Sequence, residues 1–370
     1  MSSVPDTLTR ICNAGVSVWL DDLSRGAIDS GELADLIATR AVVGVTTNPT
    51  IFAGALTGAA YADQLAQLGQ AGASVEEAVL AMTTDDVRAA CEVFTPTFTA
   101  TGGRDGRVSI EVDPRLAHDS AGTIAAAKQL WRIVDRPNAM IKIPATEAGL
   151  PAITAAIAAG ISVNVTLIFG LERYRQVANA YVNGLEQAEA AGIDISSIRS
   201  VASIFLSRID TQVDAALDQA GTSSLHGQAA IANARLAYEI YQEVFSTPRF
   251  AALGGAHRQR PLWASTGTKN PAYPDTMYVD ELVTSDVVNT MPRATLAAVA
   301  DHSAATGADV VAGTAEQARG VLAQLTALGI DFDQILVDLE NAGVASFEAS
   351  WAQLLDQVGT SLRAAQPEAR

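Results

Sequence analysis

Lysine is almost absent from this 370-residue chain: of 24 lysine and arginine residues, only Lys128, Lys142 and Lys269 are lysines. The plainest account is an arginine-biased composition. The shortage has a chemical side as well, because arginine stays protonated in proteins and cannot supply a nucleophilic amine, so a lysine retained on a strand stands out. Cysteine is scarce too. Cys12 and Cys91 form no C-x-x-C pair and no Cys/His cluster, which speaks against a disulfide framework or a zinc site and fits a reducing, cytoplasmic compartment. No run of about 20 consecutive apolar residues offers a bilayer-crossing helix. Residues 1–9 mix Ser, Pro, Asp and Thr and lack the basic and apolar regions of a secretory signal. Positive charge is in deficit, with a net charge of −17, which argues against nucleic acid and anionic membranes as partners. An anionic substrate would need local cations to overcome that background.

What the chain has is apolar content, 49% of residues, arranged in short runs. Eight of them read as strands: 17–21, 42–48, 107–113, 139–145, 161–168, 198–205, 261–266 and 286–292. Ala-rich stretches of helical periodicity lie between, as at 120–134 and 228–244. Eightfold alternation predicts an α/β fold, a (β/α)8 TIM barrel. The alternative, a doubly wound open sheet, lacks a G-x-G-x-x-G after its first strand. The intervals 49–106 and 207–260 are too long for one helix each and predict extra helices. Residues 305–366 read as a helical C-terminal extension packed on the barrel, with Thr314 and Gln317 as a capping box and no linker before it, so that 1–370 forms a single domain.

Strand parity is more informative than strand number. Parallel strands under helices are usually apolar on both faces. Here Ser17, Trp19 and Asp21 alternate with Val16, Val18 and Leu20. Thr46 and Asn48 flank the phase of Val45, Ser109, Glu111 and Asp113 alternate with Val108, Ile110 and Val112, and Ser162, Asn164 and Thr166 with Val163, Val165 and Leu167. With the apolar parity toward the helices, the polar parity lines the barrel interior. A ligand or a dense hydrogen-bond network must meet it, since each unsatisfied group costs about 1–3 kcal/mol.

Lys142, in A-M-I-K-I-P-A, falls on the parity of Met140 and Pro144. Desolvation inside a barrel favours the neutral, nucleophilic amine, which forms imines with ketones. The plainer reading is a buried lysine in a salt bridge with Glu111 or Asp21. Imine chemistry also needs acid/base groups, and Glu111 and Asp21 are the candidates. Asp22, on the opposite parity, reads as a loop or helix-cap residue. Asn48, Asn164 and Thr166 suit sugar hydroxyls or a catalytic water, or else internal networking. Ser203 to Arg208 and Ser265 to Lys269 place small residues and cations after the sixth and seventh strands, where barrel enzymes hold phosphate.

The runs S-V-W-L-D, G-V-T-T-N-P-T, S-I-E-V-D-P-R, M-I-K-I-P-A-T, N-V-T-L-I-F, S-I-F-L-S-R-I-D and W-A-S-T-G-T-K-N-P-A-Y occur in the order found in transaldolases, and from about Val16 to Pro292 the chain resembles their longer bacterial branch, within the class I Schiff-base aldolases. That resemblance implies Lys142 as the Schiff-base lysine, Asp21 as acid/base in bond cleavage, and Glu111 with Thr166 as the handlers of the catalytic water. It implies Asn48 and Asn164 as holders of the ketose fragment, with Ser203, Arg208, Ser265 and Lys269 around the phosphate, although shorter transaldolases have arginine where this chain has Lys269. The implied reaction moves a dihydroxyacetone unit between sugar phosphates without cofactor or metal. Monomer and homodimer both remain open. A lytic aldolase of the same superfamily is the nearest rival, and the related fructose 6-phosphate aldolases carry glutamine in place of Glu111. A non-catalytic sugar-phosphate-binding barrel is the rival from another class. A second catalytic domain after Pro292 is not expected, for want of length.

Overall fold

Eight parallel strands close into a barrel in sequence order in this computed structural model, which describes residues 6–56 and 58–365. The strands are β1 Val16–Leu20, β2 Gly44–Val45, β3 Arg107–Glu111, β4 Ala139–Pro144, β5 Val163–Ile168, β6 Ser200–Phe205, β7 Arg260–Ala264 and β8 Val287–Met291. Closure is made by β8 pairing with β1, from Val16 opposite Val287 to Leu20 opposite Met291. The (β/α)8 expectation is met: β1 keeps its expected length one residue earlier, β3 to β8 are one or two residues shorter than expected, and β2 is much shorter.

β2 shrinks to two residues because its ends serve other purposes. Gly44 lies opposite Trp19, and a Cβ on Gly44 would stand 2.5 Å from the indole ring, so only glycine lets the tryptophan fold inward over this strand. Beyond Val45 the chain leaves the ladder, and Asn48 caps the helix Pro49–Ala55 by accepting from the Ile51 N–H at 3.0 Å, with Pro49 in the first turn.

The long intervals hold the extra helices expected of them. Between β2 and β3 lie Pro49–Ala55, Ala62–Gln70, Val75–Val93 and Thr95–Ala100; between β6 and β7 lie Ser207–Gln219, Ala229–Val244 and Pro248–Ala251. Val75–Val93 starts at a reciprocal capping box of Ser74 and Glu77. The capping box expected at Thr314 and Gln317 does not form. Thr314 is the N-cap of Ala315–Ala327, but its hydroxyl turns back to the Val311 carbonyl at 2.7 Å.

The C-terminal helix Phe332–Ala365 packs on Pro49–Ala55, Ala62–Gln70, Val75–Val93 and Ser207–Gln219, and so lies across the end of the barrel where the strands finish. Arg173 pairs with Glu340 at 3.1 Å and Thr50 meets Ser350 at 2.8 Å, tying it to the body. Among the described residues no single helix is long and apolar enough to cross a membrane. The bent pair Ala315–Ala327 and Phe332–Ala364 passes by length and composition only, and Val344, Phe347, Leu354, Val358 and Leu362 of its second helix are buried in the core. Gln366 of the expected extension and the first five residues of the N-terminal reading lie outside the described residues.

The barrel interior is polar in layers. At the N-terminal end Ser17 donates to Asp105 at 2.9 Å, Arg260 pairs with Asp105 at 2.9 Å, and Arg107 reaches Ser162 at 3.2 Å. Above them Asn164 donates to Ser109 at 3.0 Å and accepts from Ser203 at 2.7 Å. The polar parity is therefore met by a hydrogen-bond network through the lower half and by a cavity above it.

Candidate active site

Lys142 stands near the end of β4 with 4% of its surface exposed. Its Nζ donates to the Thr47 carbonyl at 3.0 Å and lies 3.3 Å from Glu111 Oε2, across a register that sets Glu111 of β3 opposite Lys142. The salt bridge of the plainer reading thus exists inside the same polar interior that the catalytic reading needs. Close approach is not matched by hydrogen-bond alignment, and Glu111 Oε2 is buried without a hydrogen-bond partner, as is Thr166 Oγ1. Burial pushes the Glu111 carboxyl up to about 7, against the opposing charge of Lys142 and with a small push from Asp21.

Asp21 follows β1 directly. Thr46 donates to its Oδ1 at 2.7 Å and meets Thr290 at 2.6 Å, a chain that holds the carboxylate in place. Asp21 keeps some surface toward the cavity, yet protein encloses it on the remaining sides, and desolvation is the main reason its pKa is raised; Lys142 and the Thr46 bond oppose that shift. Asp22 lies in the loop as expected and pairs with Arg293, while Ser24 provides the next helix cap. Asp113 leaves the barrel parity to cap the turn Pro114–Leu116 and pair with Arg115 at 2.6 Å.

A cavity of about 190 Å3 opens above Lys142, bounded by Asp21, Asn48, Ser203, Arg208 and Ser265, with Thr46, Thr290, Phe205 and Phe347 among its other walls. Arg208 sits in the first turn of Ser207–Gln219, above the Phe205 ring at 5.8 Å, with no carboxylate partner among the described residues. Burial lowers its pKa from the ordinary arginine value. Ser265, just past β7, adopts the left-handed region at φ 55°, rare for a residue with a Cβ, and its hydroxyl meets Ser207 at 2.8 Å. Strain of this kind persists where the surroundings over-determine it, often at ligand sites.

Asn164, Thr166 and Lys269, like Glu111, are not among the residues that line this cavity. Asn164 is fully buried, opposite Lys142 in register, and bonded to Ser109 and Ser203 as the networking alternative has it. Thr166 is also fully buried, next to Leu167 at φ 59°, where the β5–β6 pairing slips register. Lys269 is exposed and lines a neighbouring cavity of about 220 Å3 with Ser207, Asp210 and Tyr273, though its charge is felt at Asp21.

The sequence reading missed Phe347 and Thr290. Thr290 sits on the interior parity of β8 and was open to the same argument as Thr46. Phe347, whose ring centroid is 5.6 Å from Lys142 Nζ, comes from a helix with no local mark of what it covers. Among the described residues no group of three or more His, Cys, Asp or Glu is placed to hold a metal ion.

Comparisons with known proteins agree with this geometry. Residues 18–358 match the family model described as Transaldolase/Fructose-6-phosphate aldolase. Transaldolase 1 of Streptomyces avermitilis is 60% identical over 369 residues, covering 98% of this chain and 97% of that protein. Transaldolase of Thermobifida fusca is 57% identical over 363 residues, covering 96% and 98%, and that of Mycolicibacterium smegmatis 56% over 365 residues, covering 97% and 98%. A buried strand lysine beside two carboxylates, in a closed parallel barrel matched along nearly its whole length, makes this chain a member of the transaldolase/fructose-6-phosphate aldolase family.

Proposed function

We propose that the chain is a transaldolase acting through a Schiff base on Lys142. It transfers a dihydroxyacetone unit from sedoheptulose 7-phosphate to glyceraldehyde 3-phosphate, giving erythrose 4-phosphate and fructose 6-phosphate. The observation that carries this reading is the position of the Lys142 amine: buried, 3.3 Å from Glu111 and facing a cavity that Asp21 shares.

The amine adds to the donor ketone, and loss of water from the carbinolamine leaves a protonated imine. Glu111 and Thr166, each with a buried oxygen that makes no hydrogen bond, handle that water, Glu111 with a pKa near neutrality suited to both giving and taking a proton. Asp21 removes the proton from the hydroxyl beside the scissile bond, the carbon–carbon bond breaks, and its electrons pass into the imine to form an enamine. No metal or organic cofactor enters, since the imine is the electron sink. Asn48 holds the three-carbon fragment, Asn164 acts by fixing Ser203 and Ser109, and Arg208 with Ser265 takes the phosphate. Phe347 covers the amine and keeps bulk water from the enamine before the acceptor aldehyde arrives. Lys269 serves the phosphate from the rim, through charge more than contact. The chain works as one barrel domain in the cytoplasm, with the helix Phe332–Ala365 docked across its mouth.

Fructose 6-phosphate plus borohydride tests the reading: a reduced dihydroxyacetone adduct is expected at Lys142 by peptide mass, and Lys142→Arg should fold yet lose about 10^4-fold or more in turnover. Absence of the adduct rejects the mechanism. Release of free dihydroxyacetone at equal rate with and without an aldose acceptor would instead identify a lytic aldolase.

A further inference from the structure

The N-terminal mouth of the barrel, at the pole opposite the Lys142 cavity, holds a further cavity of about 430 Å3. Its walls carry five arginines, Arg104, Arg107, Arg199, Arg258 and Arg260, in a chain whose net charge is −17. Two carboxylates answer them. Asp105 lies beneath, held to Arg260 at 2.9 Å and accepting from Ser17 at 2.9 Å and Trp19 at 3.3 Å; Asp286 on the rim pairs with Arg104 at 3.1 Å. Arg107, Arg199 and Arg258 have no carboxylate partner among the described residues, so positive charge is left in excess.

Neutral acceptors hold these guanidiniums without cancelling their charge. Arg107 donates to the Gly103 carbonyl at 2.6 Å and to Ser162, Arg199 donates to the Gly102 carbonyl at 3.1 Å, and Arg258 lies 5.9 Å from the centre of the Tyr241 ring. Their mutual repulsion is felt in the titration of the buried members. Burial first, then the charges of Arg199 and Arg260, bring Arg107 down to about 9, and burial also lowers Arg199, with Arg260 adding to the effect. Pre-oriented, uncompensated guanidiniums around one cavity are what an anion with several oxygens requires.

We propose that this cavity binds a small organic or inorganic polyanion carrying two or more phosphate groups, at a site separate from the one around Lys142. The volume suits such a ligand. The cavity floor includes Trp19 and Met140, two residues ahead of Asp21 and Lys142 on β1 and β4, so a ligand here touches the strands that carry the reacting groups. The inference does not depend on the reaction assigned above.

Calorimetric titration of the full chain with pyrophosphate tests it. The Arg208→Ala background weakens phosphate binding near Lys142, and the Arg258 comparison then reads the cavity at the opposite pole. Pyrophosphate is expected to bind this background, and adding Arg258→Ala is expected to weaken binding roughly tenfold or more, with Arg258→Lys retaining most of it because the charge is kept. Should Arg208→Ala fail to fold, the same Arg258 pair in the otherwise unaltered chain gives the comparison. No binding in the background, or binding indifferent to Arg258→Ala, overturns the proposal.

Discussion

Phe347 holds its ring centroid 5.6 Å from the Nζ of Lys142, although the two residues belong to the last helix and the fourth strand. The contact makes the C-terminal helix part of the cavity wall, and it separates a packing role from a chemical one. Phe347→Ala removes a buried ring and should destabilise the chain by about 3–5 kcal/mol. Phe347→Leu preserves much of the apolar volume. It should retain the unfolding midpoint far better while lowering kcat by up to about 100-fold, through looser positioning and wetting of the enamine. Denaturant unfolding together with steady-state kinetics checks both; equal kcat in wild type and both variants would confine Phe347 to packing.

Glu111 couples stability to pH. Its ordinary carboxyl value of 4.5 is raised to about 7 in the folded chain. Between those values the folded state keeps a proton that the unfolded chain has released, so this group's contribution favours folding at low pH and is lost as pH rises through 7. Asp21, Asp86 and Asp210 are raised as well and act in the same direction. Glu111→Gln should therefore show a smaller fall in Tm between pH 5 and pH 8 than the wild type. In Lys142→Met the Glu111 carboxyl should titrate higher still, since the lysine charge is the largest influence holding it down, and carbon NMR of labelled glutamate reads this directly.

Arg208 should matter for phosphate and little for the rest of the sugar. Arg208→Ala is expected to raise KM for fructose 6-phosphate by roughly 10- to 150-fold, the equivalent of about 1.5–3 kcal/mol for a charged hydrogen bond. Turnover of unphosphorylated fructose at saturation should stay near the wild-type level. A variant that loses both equally would place the guanidinium in the chemistry instead.

Gly44 tests the barrel itself. A methyl group at this position meets the Trp19 ring at 2.5 Å, and the ring is anchored through its Nε1 to Asp105, so the neighbour cannot give way easily. Gly44→Ala should destabilise by about 1–3 kcal/mol, and Gly44→Ala with Trp19→Phe should recover part of that loss, measured by chemical denaturation.

Much of this architecture was legible because parity and composition are local properties. Glu111, Lys142 and Asn164 stand on interior parities and lie opposite one another across β3, β4 and β5, and that pattern is written within five or six residues of each strand. Parity does not give partners, so it could not say that Asn164 is fully buried with its amide bonded to Ser109 and Ser203. It also failed where the chain leaves the ladder early: 42–48 read as a full strand, whereas Thr46 and Asn48 turn to a carboxylate and a helix cap. Phe347 was unreadable because its meaning lies wholly in a tertiary contact. Lys269 looked like Arg208 in sequence, and only the loop after Ser265 decides that it reaches a different cavity.

The cap at Asn48 also dictates what that side chain can say to a ligand. A peptide N–H can only give a proton, so the bond from Ile51 ties one lone pair of the amide oxygen to the helix and fixes which way round the amide sits in the cavity wall. One lone pair of that oxygen and both amide hydrogens lie outside this bond. A sugar hydroxyl docked there meets an amide whose orientation the helix has already set, which narrows the directions in which its own O–H can bond before any bond is broken.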